Sequence, residues 1–401
     1  LVNPNRLDEA PEAAAHGHLA AVGVAFLLGA ALVRTLRGRG WFAEKAEPDL
    51  MALLDLVALG TVADVAQLKG LNRAFVAQGL KVMARRGNIG LSALADVARL
   101  KTAPGAHELG FALGPRLNAG GRVGQADLGV RLLTTSDASE ARDISAELDR
   151  LNEERRAIEA AVTEQALELS EGTANAPIAI VSAPGWHPGV IGIVAGRLKE
   201  KLRRPAIVIA LDEDGVGKGS GRSIPGVDLG GAIIAARDAG LLVAGGGHAM
   251  AAGLTVAAGG VPALTQWLAD RLERDVTAAQ GARALSLDVL LAPGGVNARF
   301  AEAIAAGGPY GHGWSQPRIV TGPVRLIRAD IVGTNHVRLI AAGDDGKSFK
   351  AVAFRAVESA MGQALLNAGR SRRLWLAGRV KRDDWTGGDA AATFGVTNPA
   401  T

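Results

Sequence analysis

The sequence predicts an α/β chain of several domains that ends in a small β-barrel. Three observations carry this expectation. Helical periodicity dominates up to residue 172, strand and helix patterns alternate from Ile178, and short strands with hairpin turns follow Gly281. At 401 residues the chain is long enough for two or three domains with cores of their own.

Residues 16–36 read as a helix, with Leu19, Val22, Phe26 and Val33 at near-helical spacing and Arg34 and Arg37 before the Gly38-Arg-Gly40 break. A second helix covers Pro48 to Leu59, with Asp49 in its first turn. It runs into Leu56–Val65, an apolar stretch that stops on Asp64. A carboxylate among small and branched residues is costly to bury unless it is hydrogen-bonded or binds a cation. Asp64 therefore reads as an N-cap, a satisfied core residue or a metal ligand, with Asp55 as a weaker rival. Helical patterns follow over Asn72–Arg85, ended by Gly87, and over Gly90–Leu100. Leu113–Gly124 mixes Arg116, Arg122 and Asn118 with four glycines and almost no apolar period, so it reads as an irregular loop, either a ligand contact or a surface turn. Ser136–Glu171 is the longest helical pattern, with Leu148, Leu151, Ile158, Val162 and Leu169 as its stripe. The charges of Leu151–Glu159 fall at the spacings that support an exposed helix.

From Ile178 a strand, the turn Ala183–Gly189 and a helix Val190–Leu202 follow, then strands Ala206–Leu211 and Val216–Arg222 and a helix Asp228–Ala239. His187 lies at a strand-to-helix turn, where open α/β sheets bind ligands and helix N-termini attract anions. Two glycine-loosened segments stand out. Gly217–Ser223 carries Lys218, Ser220, Arg222 and Ser223, and Gly245–Gly253 reads as a turn with Gly246, Gly247 and the donor His248. Such glycines let backbone N–H groups approach a phosphate, or simply turn a corner. A strand near Leu254–Val256 and a helix Pro262–Asp275 complete this region.

Beyond Gly281 the short strands Val324–Ile327, Val337–Ala341, Phe349–Phe354 and Leu374–Val380 suit a Greek-key barrel of OB type. Arg325, Arg328, Arg338, Lys350 and Arg379, with Trp375 and Trp385, suit a groove that stacks bases and tracks a single-strand backbone. The charge supports a polyanion partner. The net charge is +4, with 34 Arg against 10 Lys, and the part from Ala282 onward carries a surplus of six positive charges. The chain has no cysteine, which excludes disulfides and thiolate metal sites and fits a reducing cytoplasm. No run approaches about eighteen uninterrupted apolar residues, so no membrane span is expected.

In order, several segments resemble the RecJ family of the DHH phosphoesterase superfamily. They are Val2–Arg6, Gly17–Leu19 with Gly23–Phe26, Asp55–Val65, Gly114–Arg122, Leu151–Arg155, Gly185–Gly189, Gly219–Ser223 and Gly245–Gly253. Any one is weak; their collinearity over nearly the whole chain is specific. The resemblance implies the C-terminal part of a DHH domain at 1–90, a helical connector with a long linking helix at 91–172, a DHHA1 domain at 173–278 and an OB-fold domain at 282–401. It implies 5′→3′ exonuclease action on single-stranded DNA, releasing nucleoside monophosphates with two Mn2+ or Mg2+ ions. Asp64 then matches a metal-binding Asp. Arg116, Asn118 and Arg122 line the DNA path, and His187, Ser220, Arg222, Ser223, Gly246, Gly247 and His248 hold phosphates, with Arg222 and His248 beside Asp64 in the catalytic set. The resemblance also implies single-strand binding protein and a helicase as protein partners.

The departures are as informative. The family's Asp-His-His triplet occurs nowhere here, and its Asp-x-Asp motif and further Asp are expected before residue 1; one carboxylate cannot hold two metals, so residues 1–401 alone are expected to be inactive. Gly308–Pro317 replaces the family's Pro-Phe-Gly-x-Gly-Asn-Pro-x-Pro, and Ala392–Thr397 is less apolar than expected. Two other readings stand beside this one: a DHH-family oligonucleotide phosphodiesterase, and a single-stranded-DNA-binding relative that has lost its metals.

Overall fold

The computed structural model describes residues 2–6, 8, 10–173, 176–281, 285–369, 371–382 and 392–397. It falls into two compact units. One comprises Leu1–Asn88, Arg99–Gly114 and Leu285–Thr401, the other Ile89–Ala98 and Pro115–Ala284.

The second unit is built on the helix Ala138–Glu171, capped by Asp137, whose carboxylate accepts from the Ser139 N–H at 2.7 Å. Leu113–Gly124, expected as an irregular loop, is instead mostly the helix Gly114–Val123, entered through a π-helical turn at Leu109–Leu113. Its glycines are a packing face. A Cβ on Gly120 would lie 2.8 Å from the Gln125 carbonyl and 3.3 Å from Leu148, and one on Gly124 only 2.6 Å from Leu151. The helix lacks an apolar stripe because its contact surface is backbone.

A five-stranded sheet follows: β1 (Ala179–Pro184), β2 (Ala206–Leu211), β3 (Val216–Arg222), β4 (Ala244–His248) and β5 (Ala251–Ala257), in the order β1-β2-β3-β5-β4. Only β1 and β2 run parallel. Ile207, Ile209 and Leu254 pack on the helices Leu229–Asp238 and Val261–Gly281 on one face. Val181 and Val208 pack on the helix Ile191–Leu202 and the end of Ala138–Glu171 on the other. Period two then explains β3. Gly217, Gly219 and Gly221 point into the first core, where added Cβ atoms would lie 2.7 Å from Ile209, 2.7 Å from Leu254 and 2.8 Å from Leu229. Lys218, Ser220 and Arg222 take the other face. The β3 glycines thus serve packing, not the approach of an anion. The Gly245 segment also differs from expectation. It is the edge strand β4, and the turn lies at Ala249-Met250.

In the first unit, the helices Ala21–Gly38, Leu54–Ala63 and Gly70–Met83 meet closely through small residues. A Cβ on Gly79 would sit 2.0 Å from the Leu54 carbonyl oxygen, and the Phe26 and Phe75 rings touch edge to face at 5.3 Å. Asp49 accepts from the Met51 and Ala52 N–H groups and starts the turn leading into Leu54–Ala63. Ala21–Gly38 is 18 residues long with a mean hydropathy of 1.5, long and apolar enough to cross a membrane by length and composition. Counting uninterrupted apolar residues missed it because Gly29, Arg34 and Arg37 interrupt the run.

The barrel strands are β6 (Val289–Leu291), β7 (Ile319–Val332), β8 (His336–Gly343), β9 (Ser348–Ala353), β10 (Leu374–Arg382) and β11 (Ala392–Val396). The chain of pairings β7-β8-β9-β11-β10 closes when β10 pairs back onto β7, which leaves no open edge in the five-stranded ring. Leu326, Val337, Leu339, Phe349, Ala351, Leu376, Val380 and Phe394 fill it. Phe394 is fully buried, so β11 alternates inward and outward despite its modest apolarity. Gly308–Pro317 docks on the helices. Arg73 donates to the Gly307 carbonyl at 2.6 Å and lies 4.5 Å from the Trp314 ring centre, and the Leu68 N–H donates to the His312 carbonyl at 2.7 Å. Trp385 and its turn lie outside the described residues.

Candidate phosphate-binding site

β3 presents Ser220 and Arg222 toward the start of the helix Ile191–Leu202, and two glycines bring that helix in. A Cβ on Gly192 would lie 3.0 Å from Ser220 Oγ and 3.1 Å from Arg222 Nη2. One on Gly189 would lie 2.4 Å from the Arg122 carbonyl oxygen and 3.0 Å from the His187 ring. Arg122 Nη1 donates to the Gly189 carbonyl at 2.9 Å, and the Gly189 N–H donates to His187 Nδ1 at 3.0 Å. In the neutral imidazole this leaves the proton on Nε2. Arg122, His187, Ser220 and Arg222 therefore gather at one helix N-terminus, where partial positive charge favours an anion.

Arg222 has no carboxylate partner among the described residues. Nη1 donates to the Gly221 carbonyl at 2.8 Å and to Ser220 Oγ at 3.1 Å. Burial and, after it, the charge of Arg122 push the Arg222 guanidinium below its ordinary proton affinity. A half-buried cation facing another cation is stabilised by an incoming anion.

Register extends the site across the sheet. Arg222 pairs with Ala251 and Ala251 with His248; Ser220 pairs with Gly253 and Gly253 with Gly246. Directly opposed residues share a face, so Arg222 and Ser220 lie on the same side as Gly246 and His248, about 10 Å apart. Ala251 stands between Arg222 and His248, and Gly253 between Ser220 and Gly246, with nothing within 4 Å of where a Cβ on Gly253 or Gly246 would stand. His248 is exposed, its Nδ1 accepting from the Met250 N–H at 3.3 Å.

Other expected residues sit differently. Ser223 is buried and its hydroxyl donates to the Val227 carbonyl at 2.8 Å, which removes it from the phosphate set. Arg116 is half-buried, with Nε donating to Asp149 Oδ1 at 2.8 Å, while Asn118 stands exposed on the same helix. Gly247 turns from the phosphate face, and a Cβ there would lie 2.3 Å from the Ala251 carbonyl oxygen. Sequence reasoning missed Arg155 and Glu159, which are buried although their spacing was read as an exposed helix face. The signal was present: 155 and 159 continue the heptad-like row Leu148, Leu151, Val162, Ala166.

In the first unit, Asp64 is the exposed C-cap of Leu54–Ala63, and the buried carboxylate is Asp55, 3% exposed. Among the described residues no three His, Asp or Glu side chains come together to hold a metal ion. A lone exposed carboxylate does not fit a two-metal centre. Asp55 accepts from the Leu56 N–H at 2.7 Å, but desolvation outweighs this and raises its pKa. A raised folded-state pKa favours the neutral form, so its stabilisation is fully present below the unfolded value of about 3.9 and is lost as pH rises through the folded value. Asp55→Asn should therefore raise the thermal midpoint at pH 7 and lose that advantage as pH falls below about 4. Parallel melting curves at all pH values would show that burial does not control this group.

Comparisons with known proteins converge. A model of the DHHA1 domain matches residues 175–274, and a model of the RecJ OB domain matches residues 287–392. The chain is 41% identical over 351 residues to the single-stranded-DNA-specific exonuclease RecJ of Dickeya dadantii, and 38% identical over 360 residues to that of Escherichia coli. Each alignment takes in 85% of this chain and 60% of the relative, so the chain spans about 60% of the length of these relatives. The crystal structure of RecJ from Thermus thermophilus in complex with Mn2+ superposes with a TM-score of 0.73 at 29% identity, covering 90% of this chain and 51% of the other. Its Mg2+ complex gives 0.74.

Proposed function

This chain belongs to the RecJ family, and from that premise we propose that it is the phosphate-holding and strand-binding part of a nuclease that hydrolyses single-stranded DNA from its 5′ end, releasing nucleoside 5′-monophosphates. The observation that carries the reading is Arg222, a half-buried cation with no carboxylate partner among the described residues, in register with His248 across Ala251 and next to the open row of Ser220, Gly253 and Gly246. Arg222, Ser220, Arg122 and His187 take the non-bridging oxygens of a backbone phosphate, and the two Arg offset the charge that builds during hydrolysis. His248 donates from the far side, across Ala251, with Gly246 beside it. Arg116 and Asn118 line the path of the strand.

The whole protein uses Mn2+ or Mg2+, with Asp64 supplying one carboxylate and the remaining ligands drawn from the further length that the relatives possess. Its setting is the cytoplasm, with single-strand binding protein and a helicase as protein partners. The barrel's outer face supports a strand-tracking role. One row across it runs Arg328, Ile340, Lys350, Thr393, Lys381, and the next holds Asp330, Arg338, Val352, Gly395, Arg379. Asp330 pairs with Arg328 and Arg338, which leaves the two rows strongly basic.

The 401-residue chain should bind oligothymidine in preference to duplex, with log affinity falling linearly against log salt at about 0.7 per phosphate neutralised. Fluorescence anisotropy across a salt series measures this. A salt-independent affinity, or equal affinity for duplex, would remove the reading.

A further inference from the structure

The Leu151–Arg155 motif and the charges after it form a device that the sequence reading left unassigned. Arg155, 9% exposed, donates through Nη2 to Asn152 Oδ1 at 2.9 Å and through Nη1 to Glu159 Oε2 at 2.9 Å. Its Nε is buried with no hydrogen-bond partner among the described residues. The other oxygen of Glu159, Oε1, accepts from Arg197 Nε at 3.2 Å, across from the long helix to the helix Ile191–Leu202. The Arg197 side chain is 55% exposed. After burial, the charges of Arg122, Arg156 and Arg197 depress the proton affinity of Arg155, and Arg122 also acts on Arg222. Glu159 thus holds the guanidinium groups of Arg155 and Arg197, and Arg122 and Arg156 act on the same Arg155.

We propose that Glu159 is a positioning residue for phosphate binding: by holding Arg155 with one oxygen and Arg197 with the other, it fixes Arg197 as a further cation of the Arg122–Arg222 cluster, contacting a backbone phosphate of single-stranded DNA. This rests on the phosphate reading of Arg122 and Arg222. Arg155 is the buried anchor and Arg197 the solvent-facing arm. The geometry makes Arg197 useful only while Glu159 holds it, because a free arginine side chain loses rotamer entropy on binding that a pre-set one does not.

The sign of one substitution separates positioning from plain charge. Removing a carboxylate from a basic cluster should strengthen anion binding by Coulomb's law. Glu159→Gln in the 401-residue chain is expected instead to weaken binding of a 5′-phosphorylated oligothymidine, by roughly fivefold or more. Because that variant also leaves a buried arginine without its charge partner and can unfold, Arg197→Met provides the second arm. It keeps an apolar stem on an exposed side chain, and it should leave the thermal midpoint in place, lower affinity about threefold and reduce the salt slope by about 0.7. Equal or tighter binding by a folded Glu159→Gln, or an unchanged slope in Arg197→Met, overturns the proposal. If those two variants bind like the wild type while Arg222→Ala does not, this inference alone fails. If the wild-type chain binds no single-stranded DNA, the phosphate reading fails and takes the inference with it.

Discussion

Arg222→Ala should reduce the affinity of the 401-residue chain for single-stranded DNA by roughly 30- to 100-fold while leaving its melting temperature unchanged or slightly raised. The two halves of this expectation come from one fact. Arg222 donates to a hydroxyl and to its neighbour's carbonyl, and no carboxylate pairs with it among the described residues. Its burial and the nearby Arg122 work against the charged form. Such a cation is held against its own solvation, so removing it relieves the fold rather than weakening it. When a phosphate arrives, the same desolvation strengthens each N–H···O contact. In the whole protein the loss should appear in turnover, about a hundredfold or more, because charge on the non-bridging oxygens grows as the phosphodiester breaks. Anisotropy and thermal unfolding on one preparation decide the matter. A melting temperature lowered by about 5 °C or more with affinity intact would make Arg222 a structural residue.

How far the sequence could be read depended on which atoms make each contact. β2 and β3 lie where their patterns placed them, because Ala206–Leu211 is continuously apolar and Val216–Arg222 alternates. The barrel strands were legible for the same reason, since their inward residues are large and spaced by two. Gly114–Val123 was not legible. Periodicity arguments weigh side chains, and this helix meets its neighbours through Gly120 and Gly124. Edge strand β4 was misread likewise, its three glycines matching a turn until β5 is there to pair with them. Arg155 and Glu159 failed differently: charge at helical spacing indicates a solvated face unless it is weighed against the apolar row that it interrupts. Asp64 and Asp55 exchange roles in burial because nothing in Asp55–Asp64 tells which end of a short helix points inward. The collinear motifs fared better than any local pattern, since order along the chain does not depend on knowing what each residue touches.

Gly247→Ala and Gly246→Ala should have opposite effects, although the two residues are adjacent in the same strand. Gly247 has φ +154°, and a Cβ there would lie 2.3 Å from the Ala251 carbonyl oxygen and 2.6 Å from Ala252 Cα. Those atoms belong to β5, which is hydrogen-bonded on both sides, by β3 and β4, and cannot yield. The substitution should therefore destabilise the second unit by about 3 kcal/mol, lowering its melting temperature by roughly 6–12 °C. Gly246 faces the other way, with nothing within 4 Å of its absent Cβ. Alanine there meets no protein atom and restricts the unfolded chain, so stability should hold or rise by up to about 1 kcal/mol. The methyl group would instead stand beside His248, facing Ser220 across Gly253, where the phosphate is proposed to lie, and weaken DNA binding about tenfold. Wild-type affinity in a stable Gly246→Ala chain would mean that this row is not occupied by the strand. The glycine run would then be explained by Gly247 and the hairpin alone, and Arg222 would have to bind its phosphate from the side of Arg122 and His187.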